Sequence, residues 1–332
     1  MAGPDDVDLA GAVPYVLPLV DRFRGTTVRE GVLIRGPAGW GDFCPFPEYD
    51  DDEAADWLAA AVEAAAAGWP APIRDQVPVN VTVPAVNPGR AREIVSGSGC
   101  TTAKVKVADH PVSQAEDEAR LEAVRDALGP AGLVRIDANA RWDLETACAR
   151  VPLLDRAAGG LDYVEQPCAS LADLAAVRRR TGVRVAADES IRRAGDPLRV
   201  ALAGAADVAV LKATPLGGVR RAVAVAEAAA LPCVVSSALE SGVGLAAEAA
   251  LAGALPQLAG ACGLRTGALL AADVVHPVPV PVPGHVAVTV RPPEPDPGLL
   301  DRARQPDPDR RRWWAERLHR AADVLRARGR GA

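Results

Sequence analysis

The chain has 332 residues, 49% of them hydrophobic and 24% charged, the balance of a globular protein with one large or two unequal domains. A net charge of −6 argues against a nucleic-acid partner, and no uncharged run reaches the roughly 18–20 apolar residues that a membrane span needs. The cysteines at 44, 100, 148, 168, 233 and 262 form no C-x-x-C pair, which points to reduced thiols rather than disulfides or a zinc site.

The first residues are acidic and lack the charged-then-apolar layout of a leader peptide, so a cytoplasmic protein is expected. Residues 26–35 alternate in a strand-like way, and a Gly/Pro-rich hinge follows over 36–47. The acids at 50–53 then open an alanine-rich helix to about 67, where negative charge suits the positive end of the helix dipole. This stretch, 1–76, reads as a small α+β domain.

From residue 77 the pattern becomes rhythmic. Apolar runs near 77–84, 102–107, 133–137, 161–165, 184–188, 207–211, 232–236 and 259–263 read as strands. Amphipathic segments such as 112–128, 143–157, 170–181 and 217–230 read as helices between them. Eight alternations over 77–271 predict an α/β fold, a (β/α)8-type barrel. Beyond it come a Val/Pro-rich stretch at 274–290, a proline-rich connector at 292–308 and a helix near 309–328. That helix carries Trp313 and Trp314, expected to pack it onto the rest of the chain. The return, about 272–332, is expected to complete an α+β capping domain with the N-terminal segment.

Active sites of such barrels form at the C-terminal strand ends. Five successive predicted strands deliver charge there: Lys104 and Lys106, then Asp137, Glu165, Asp188 and Lys212. Neighbouring strands lie about 4.8 Å apart, so three carboxylates from adjacent strands can converge on one ion. An all-oxygen donor set without histidine or cysteine suits a hard cation, Mg²⁺ first, with Mn²⁺ as a possible substitute. The alternative is an ion-pair network of acids with arginines. Against it stands the lysine inventory: of 37 basic residues only Lys104, Lys106 and Lys212 are lysine.

Residues i and i+2 share one face of a strand, so Lys104 and Lys106 both point inward. Two neighbouring ammonium groups favour neutralising one of them, and a lysine can then act as a base where arginine cannot. Lys212 lies across the barrel mouth, which places one lysine on each face of a substrate. The chemistry that fits is proton abstraction next to a carboxylate, with the resulting enediolate stabilised by a metal ion. The expected partner is therefore a small-molecule carboxylate; the sequence says nothing of oligomeric state.

These residues resemble a known family. K-x-K at Lys104 and Lys106, D-x-N at Asp137 and Asn139, V-E-Q-P at Glu165, A-D-E-S at Asp188 and Glu189, and Lys212 look like the muconate-lactonizing subgroup of the enolase superfamily. The resemblance implies catalysis by Lys106, Lys212 and Lys104, metal ligation by Asp137, Glu165 and Asp188, and supporting roles for Asn139 and Glu189. Within the subgroup the stretches 23–31 (FRGTTVREG), 236–241 (SSALES) and 263–267 (GLRTG) resemble the dehydrating branch that makes 2-succinylbenzoate for menaquinone. That likeness implies substrate contacts at Arg24, Ser236, Ser237 and Gly263. The family's dipeptide epimerases carry D-x-D on the eighth strand; Cys262, Gly263 and Leu264 stand there instead. N-succinylamino acid racemisation or another cycloisomerisation of the same subgroup stays open, as does a metal-binding barrel without turnover.

A dinucleotide-binding reading of Gly242-x-Gly244-x-x-Ala247 lacks the acid about 20 residues on that would hold a ribose. A helix N-terminus able to hold an anionic substrate group is the alternative expected there. His276 falls after the eighth strand, where it reads as structural.

Overall fold

A computed structural model describes residues 2–109, 113–192, 198–278, 280 and 282–330. Three antiparallel strands, β1 (Asp8–Phe23), β2 (Thr26–Gly36) and β3 (Gly39–Phe43), form a sheet in that order. The 16-residue β1 escapes sequence patterning because Pro14 and Pro18 interrupt it. As an edge strand, β1 tolerates residues that lack an amide donor. Helix α1 (Asp51–Val62) follows, with the Asp50 side chain capping Glu53 N at 2.8 Å. A π-turn over Glu63–Ala67 carries the helix to the expected end, and Gly68 at φ 65° stops it.

The expected strand at 77–84 divides in two. β4 (Gln76–Pro78) leaves the barrel and pairs with a later strand, whereas β5 (Val81–Val83) enters it. In chain order there follow α2 (Pro88–Ser96), β6 (Thr102–Lys106), α3 (Gln114–Leu128), β7 (Leu133–Asp137), α4 (Leu144–Ala157), β8 (Leu161–Glu165), α5 (Leu171–Thr181), β9 (Val185–Ala187), α6 (Glu189–Arg192), α7 (Leu198–Leu202), β10 (Val208–Leu211), α8 (Val219–Ala229), β11 (Cys233–Val235) and α9 (Gly242–Ala254). Local chemistry sets the helix starts. Ser113 and Glu116 form a capping box on α3, while Asp143 and Ser170 cap α4 and α5. Position 112, the expected start of α3, lies outside the described residues.

Strands β5 to β11 form one parallel seven-stranded sheet in sequence order. The expected eighth strand is reduced to two parallel bridges, Val79 with Cys262 and Ser236 with Gly263, and these join the two sheet edges. Backbone bonds on both sides hold it: Asn80 N to Cys262 O at 2.9 Å and Gly263 N to Val235 O at 2.8 Å. Glycine is needed at 263, because a Cβ there would sit 2.4 Å from Ser236 Oγ. The fold is thus an α/β barrel with a cap, closed by a short, glycine-rich seam.

The return begins with a 3₁₀ turn (Arg265–Leu269). β12 (His285–Ala287) pairs antiparallel with β4, so little of 274–290 is regular strand. Positions 279 and 281 of that stretch lie outside the described residues. The connector at 292–308 holds an unexpected helix, α10 (Pro297–Ala303), capped by Asp296 with proline in its first turn. The last helix, α11 (Pro308–Arg330), buries Trp314 edge-on against Phe43, while Arg320 and Arg328 pair with Asp51 and Asp52 of α1.

One apolar core fills the space between the barrel sheet and its helices. A second joins β1–β3, α1 and α11 to Leu239, Val243 and Leu270 beside the barrel mouth. Inside the barrel a small plug of Tyr163, Ala186, Val208, Val210 and Val234 leaves the layers above it to polar groups. All six cysteines are free. Among the described residues no helix is long and apolar enough to cross a membrane.

Candidate active site

Strand register builds the site. Lys106 of β6 stands beside Asp137 of β7, and Asp137 beside Glu165 of β8; one layer lower, Thr82, Lys104, Arg135 and Tyr163 adjoin in turn. Asp188 follows β9 directly and Lys212 follows β10. All three lysines are at least nine-tenths buried, as are the three acids, so the charges must compensate one another.

They do so in pairs. Lys104 Nζ bonds both oxygens of Glu165 at 3.1 Å and Ser236 Oγ at 3.2 Å. Lys106 donates to Asp137 and, at 2.9 Å, to Asn139 Oδ1. Lys212 reaches Asp188 at 2.5 Å. Arg192, not anticipated from the sequence, also approaches Asp188 at 3.5 Å and binds Glu189 at 3.1 Å. A second unanticipated arginine, Arg135, points inward below Asp137 and is held by Asp162 at 2.8 Å.

The two lysines of β6 diverge electrostatically. Burial lowers the pKa of both. For Lys104, Glu165 and Asp137 outweigh burial and the amine is raised. For Lys106 burial prevails over Asp137, with Lys104 adding to it, and the amine is lowered. The neighbouring ammonium group is thus a lesser cause than burial. Lys212 is raised, because Asp188 outweighs burial. Burial opposes ionisation of Asp137 too, but Lys106 and then Lys104 hold it well below the usual range. Asp188 is brought down to about 2 by Lys212 and Arg192 acting against burial.

A narrow cavity open to solvent lies above these groups. Lys104, Lys106, Asp137, Asn139, Lys212, Ser236, Ser237 and Arg24 all line it. Glu165, Asp188, Glu189 and Gly263 do not: the first two lie behind lysines, Glu189 faces Arg192, and Gly263 abuts Ser236. Arg24 occupies the turn between β1 and β2 at φ 51° and stacks on Phe46, 4.7 Å from its centroid. The adjacent Phe23 ring lies 5.4 Å from Lys106 Nζ. The tip of the cap hairpin therefore roofs the lysine whose pKa burial depresses.

Residues 89–299 match the enolase C-terminal domain-like family, and residues 15–65 match the enolase N-terminal domain-like family. The chain belongs to the enolase superfamily. An o-succinylbenzoate synthase of Thermobifida fusca is 62% identical over 82% of this chain and 86% of its own. One of Mycolicibacterium smegmatis is 51% identical over 91% of this chain and 92% of its own. In fold, the chain is similar to a muconate lactonizing enzyme of Pseudomonas fluorescens, with TM-score 0.75 at 23% identity over 89% of this chain and 98% of that one.

Enzymes of this superfamily use a divalent metal ion. Among the described residues no three potential ligands already stand together as a metal cage, since each carboxylate is turned to a lysine. The donor set nonetheless fits such an ion. Its three members are buried carboxylates, and Glu165 is pushed up to about 7 by burial, with Asp137 and Asp188 adding to it against Lys104. A cation among them would offset that crowding of negative charge.

Several members of the cavity wall are not evident from sequence. Thr82, Phe23, Phe46, Leu239 and Thr266 line it, and Thr266 shares a 2.5 Å hydrogen bond with Ser237. Gln166 accepts from Asp188 N at 2.9 Å and so fixes the end of β9. The position of Thr82, two residues before the end of an expected strand and opposite Lys104, is the one signal that could have marked it. His276 is exposed and lies 3.5 Å from Asp296. The N-terminus of α9 is not free for a substrate anion. Asp42 and Asp273 already accept its first amides, Ser241 N and Gly242 N, at 3.0 Å.

Proposed function

We propose that this chain is an o-succinylbenzoate synthase, a hydro-lyase of menaquinone biosynthesis. Its reaction is the syn dehydration of 2-succinyl-6-hydroxy-2,4-cyclohexadiene-1-carboxylate to 2-succinylbenzoate. The observation that carries this reading is Lys106 and Lys212 lining one cavity from strands on opposite sides of the acid cluster. The likeness to curated synthases supplies the substrate.

On this reading Lys106 takes the proton from the carbon bearing the carboxylate, and the C–H electron pair becomes the enediolate double bond. Burial under Phe23 favours the neutral amine that this step requires. The dianion then expels the ring hydroxyl, and the Lys106 ammonium protonates it on the same face. Water leaves and the ring becomes aromatic. Lys212 holds the developing charge from the opposite side, and Lys104 anchors the carboxylate end beside Ser236. Asp137, Glu165 and Asp188 would hold Mg²⁺, with Mn²⁺ as a substitute, and the bound ion supplies Lewis-acid stabilisation of the dianion. Asn139 orients Lys106, Glu189 fixes Arg192 beside Asp188, and Arg24, Ser236 and Ser237 shape the place of the succinyl tail, with Gly263 packed behind Ser236. The catalytic barrel is 77–271; residues 1–76 and about 272–332 are its cap.

The test is turnover of the hydroxycyclohexadiene substrate, followed at the absorbance of the aromatic product. It is expected with Mg²⁺, and to stop with EDTA and return on adding the ion. Dehydration that persists without metal would remove the metal-assisted step, and no dehydration would remove the assignment. Lysines on both faces also suit two-base racemisation. N-succinylamino acids in deuterated buffer check this second activity, which exchanges the α-hydrogen without losing water.

A further inference from the structure

Two acids near the site take no part in the chemistry above. Glu240 and Glu248 are fully buried, the first in the loop after β11 and the second inside α9. Between them stands Thr214, two residues beyond Lys212. Thr214 Oγ1 lies 2.7 Å from Glu240 Oε1 and 3.0 Å from Glu248 Oε1. Glu248 also accepts from Ala213 N at 2.6 Å and Thr214 N at 3.1 Å. Glu240 accepts from Ala238 N at 2.9 Å. The loop that bears Lys212 is thereby tied to the one that bears Ser236 and Ser237.

We propose that Glu248 is a positioning residue that, through Ala213 and Thr214, fixes Lys212 at the cavity wall. This rests on the reading of Lys212 as the group facing the dianion. A threonine hydroxyl has one hydrogen, yet it lies within hydrogen-bonding distance of two carboxyl groups. Both contacts are hydrogen bonds only if one acid carries a proton, which runs as a chain from Glu248 through Thr214 to Glu240. Burial, then Glu240, raises Glu248 well above the usual carboxyl range, in keeping with Glu248 as the protonated member. Arg29, buried beside Glu240, donates to Leu239 O at 3.0 Å and pins the far end of the chain. Leu239 holds φ 66°, a strained backbone that such fixation sustains.

Having only three lysines makes the test legible, because acylation by acetic anhydride can be mapped to each amine by peptide mass spectrometry. Glu248→Gln keeps a neutral group whose oxygen can accept from Ala213 N while its amide donates to Thr214 Oγ1, giving up only the longer bond from Thr214 N. Acylation of Lys212 should then stay within about twofold of the parent. Glu248→Leu removes the acceptor, and Lys212 should react roughly tenfold faster while Lys104 and Lys106 stay protected. Thr214→Val, which cuts only the relay, should move Lys212 alone in the same direction and keeps the proposal testable if Glu248→Leu fails to fold. In the dehydration assay, kcat of Glu248→Leu should fall roughly 10- to 100-fold with little change in KM, and glutamine should rescue it. Faster labelling of all three lysines together would mark general loosening and overturn the proposal. So would an unchanged Lys212, or glutamine behaving as leucine. If the parent does not dehydrate the substrate, the assigned function falls, while the labelling pattern still decides whether Glu248 holds Lys212.

Discussion

Two groups of three buried acids lie close together in this molecule and are compensated in opposite ways. At the barrel mouth Asp137, Glu165 and Asp188 each face an amine. At the seam between cap and barrel, Asp42, Glu240 and Glu248 face mostly hydroxyls and backbone amides, from Tyr15, Ser241, Thr214, Ala213 and Ala238. Full charges keep Asp137 and Asp188 ionised despite burial, whereas dipoles leave Asp42 raised to about 6 and Glu248 raised well above the usual carboxyl range. Burial favours the neutral acid in both regions; charged partners overcome it at Asp137 and Asp188, but not at Glu165, where the two neighbouring acids add to burial. The mouth keeps reactive charge, and the seam trades it for fixed geometry.

The largest expected effect breaks the mouth. Lys106→Arg preserves a cation for Asp137 but removes the amine that can lose its proton. Turnover should fall by roughly 10²- to 10⁴-fold, the range for loss of a general base, with thermal stability close to that of the parent. Activity that survives the change would mean that another group accepts the proton.

A smaller effect tests the seam. Asp42 accepts from Tyr15 Oη at 2.8 Å and from Ser241 Oγ at 2.7 Å, and burial lifts it to about 6 against those bonds. Its folded pKa lies above the ordinary value near 4, so the folded chain binds the extra proton between about pH 4 and 6. Stability from this group is fully present below pH 4 and is lost as pH rises through 6, a span worth about 3 kcal/mol. Asp42→Asn removes that titration and can keep both partners. Its stability relative to the parent should therefore improve from pH 4.5 to 7.5 in thermal unfolding. Parallel curves would show that Asp42 does not titrate in this window.

The two regions also differ in how far they were legible. The mouth is built from strand ends, where an alternating period and three lysines among many arginines give residue positions directly. The barrel, Lys104, Lys106, Lys212 and the acids beside them were visible for that reason. The seam arises from long-range contacts: Asp42 reaches Ser241 across 199 residues, and Glu248 meets Thr214 across 34. No local pattern encodes such pairs. Prolines hid β1 and masked α10 as connector, and the eighth strand shrank to two bridges at a glycine where only close approach to Ser236 closes the ring. Arg192 was missed because its role depends on a short helix turning back to Asp188.

The smallest effect lies where the mouth departs from its own rule. Thr82 is buried beside Lys104 and lines the cavity, yet its hydroxyl has no hydrogen-bond partner among the described residues. An unpaired buried hydroxyl costs the ligand-free protein free energy that a bound oxygen can return. Thr82→Val keeps the shape and removes the hydroxyl. Its melting temperature should match or exceed that of the parent, because no bond is lost. In the same variant kcat/KM should drop by about tenfold, the worth of one hydrogen bond made only with substrate. The two readouts move in opposite directions only if Thr82 is a substrate contact. A lower melting temperature with unchanged kinetics would place Thr82 with the seam, as a polar group that holds the fold.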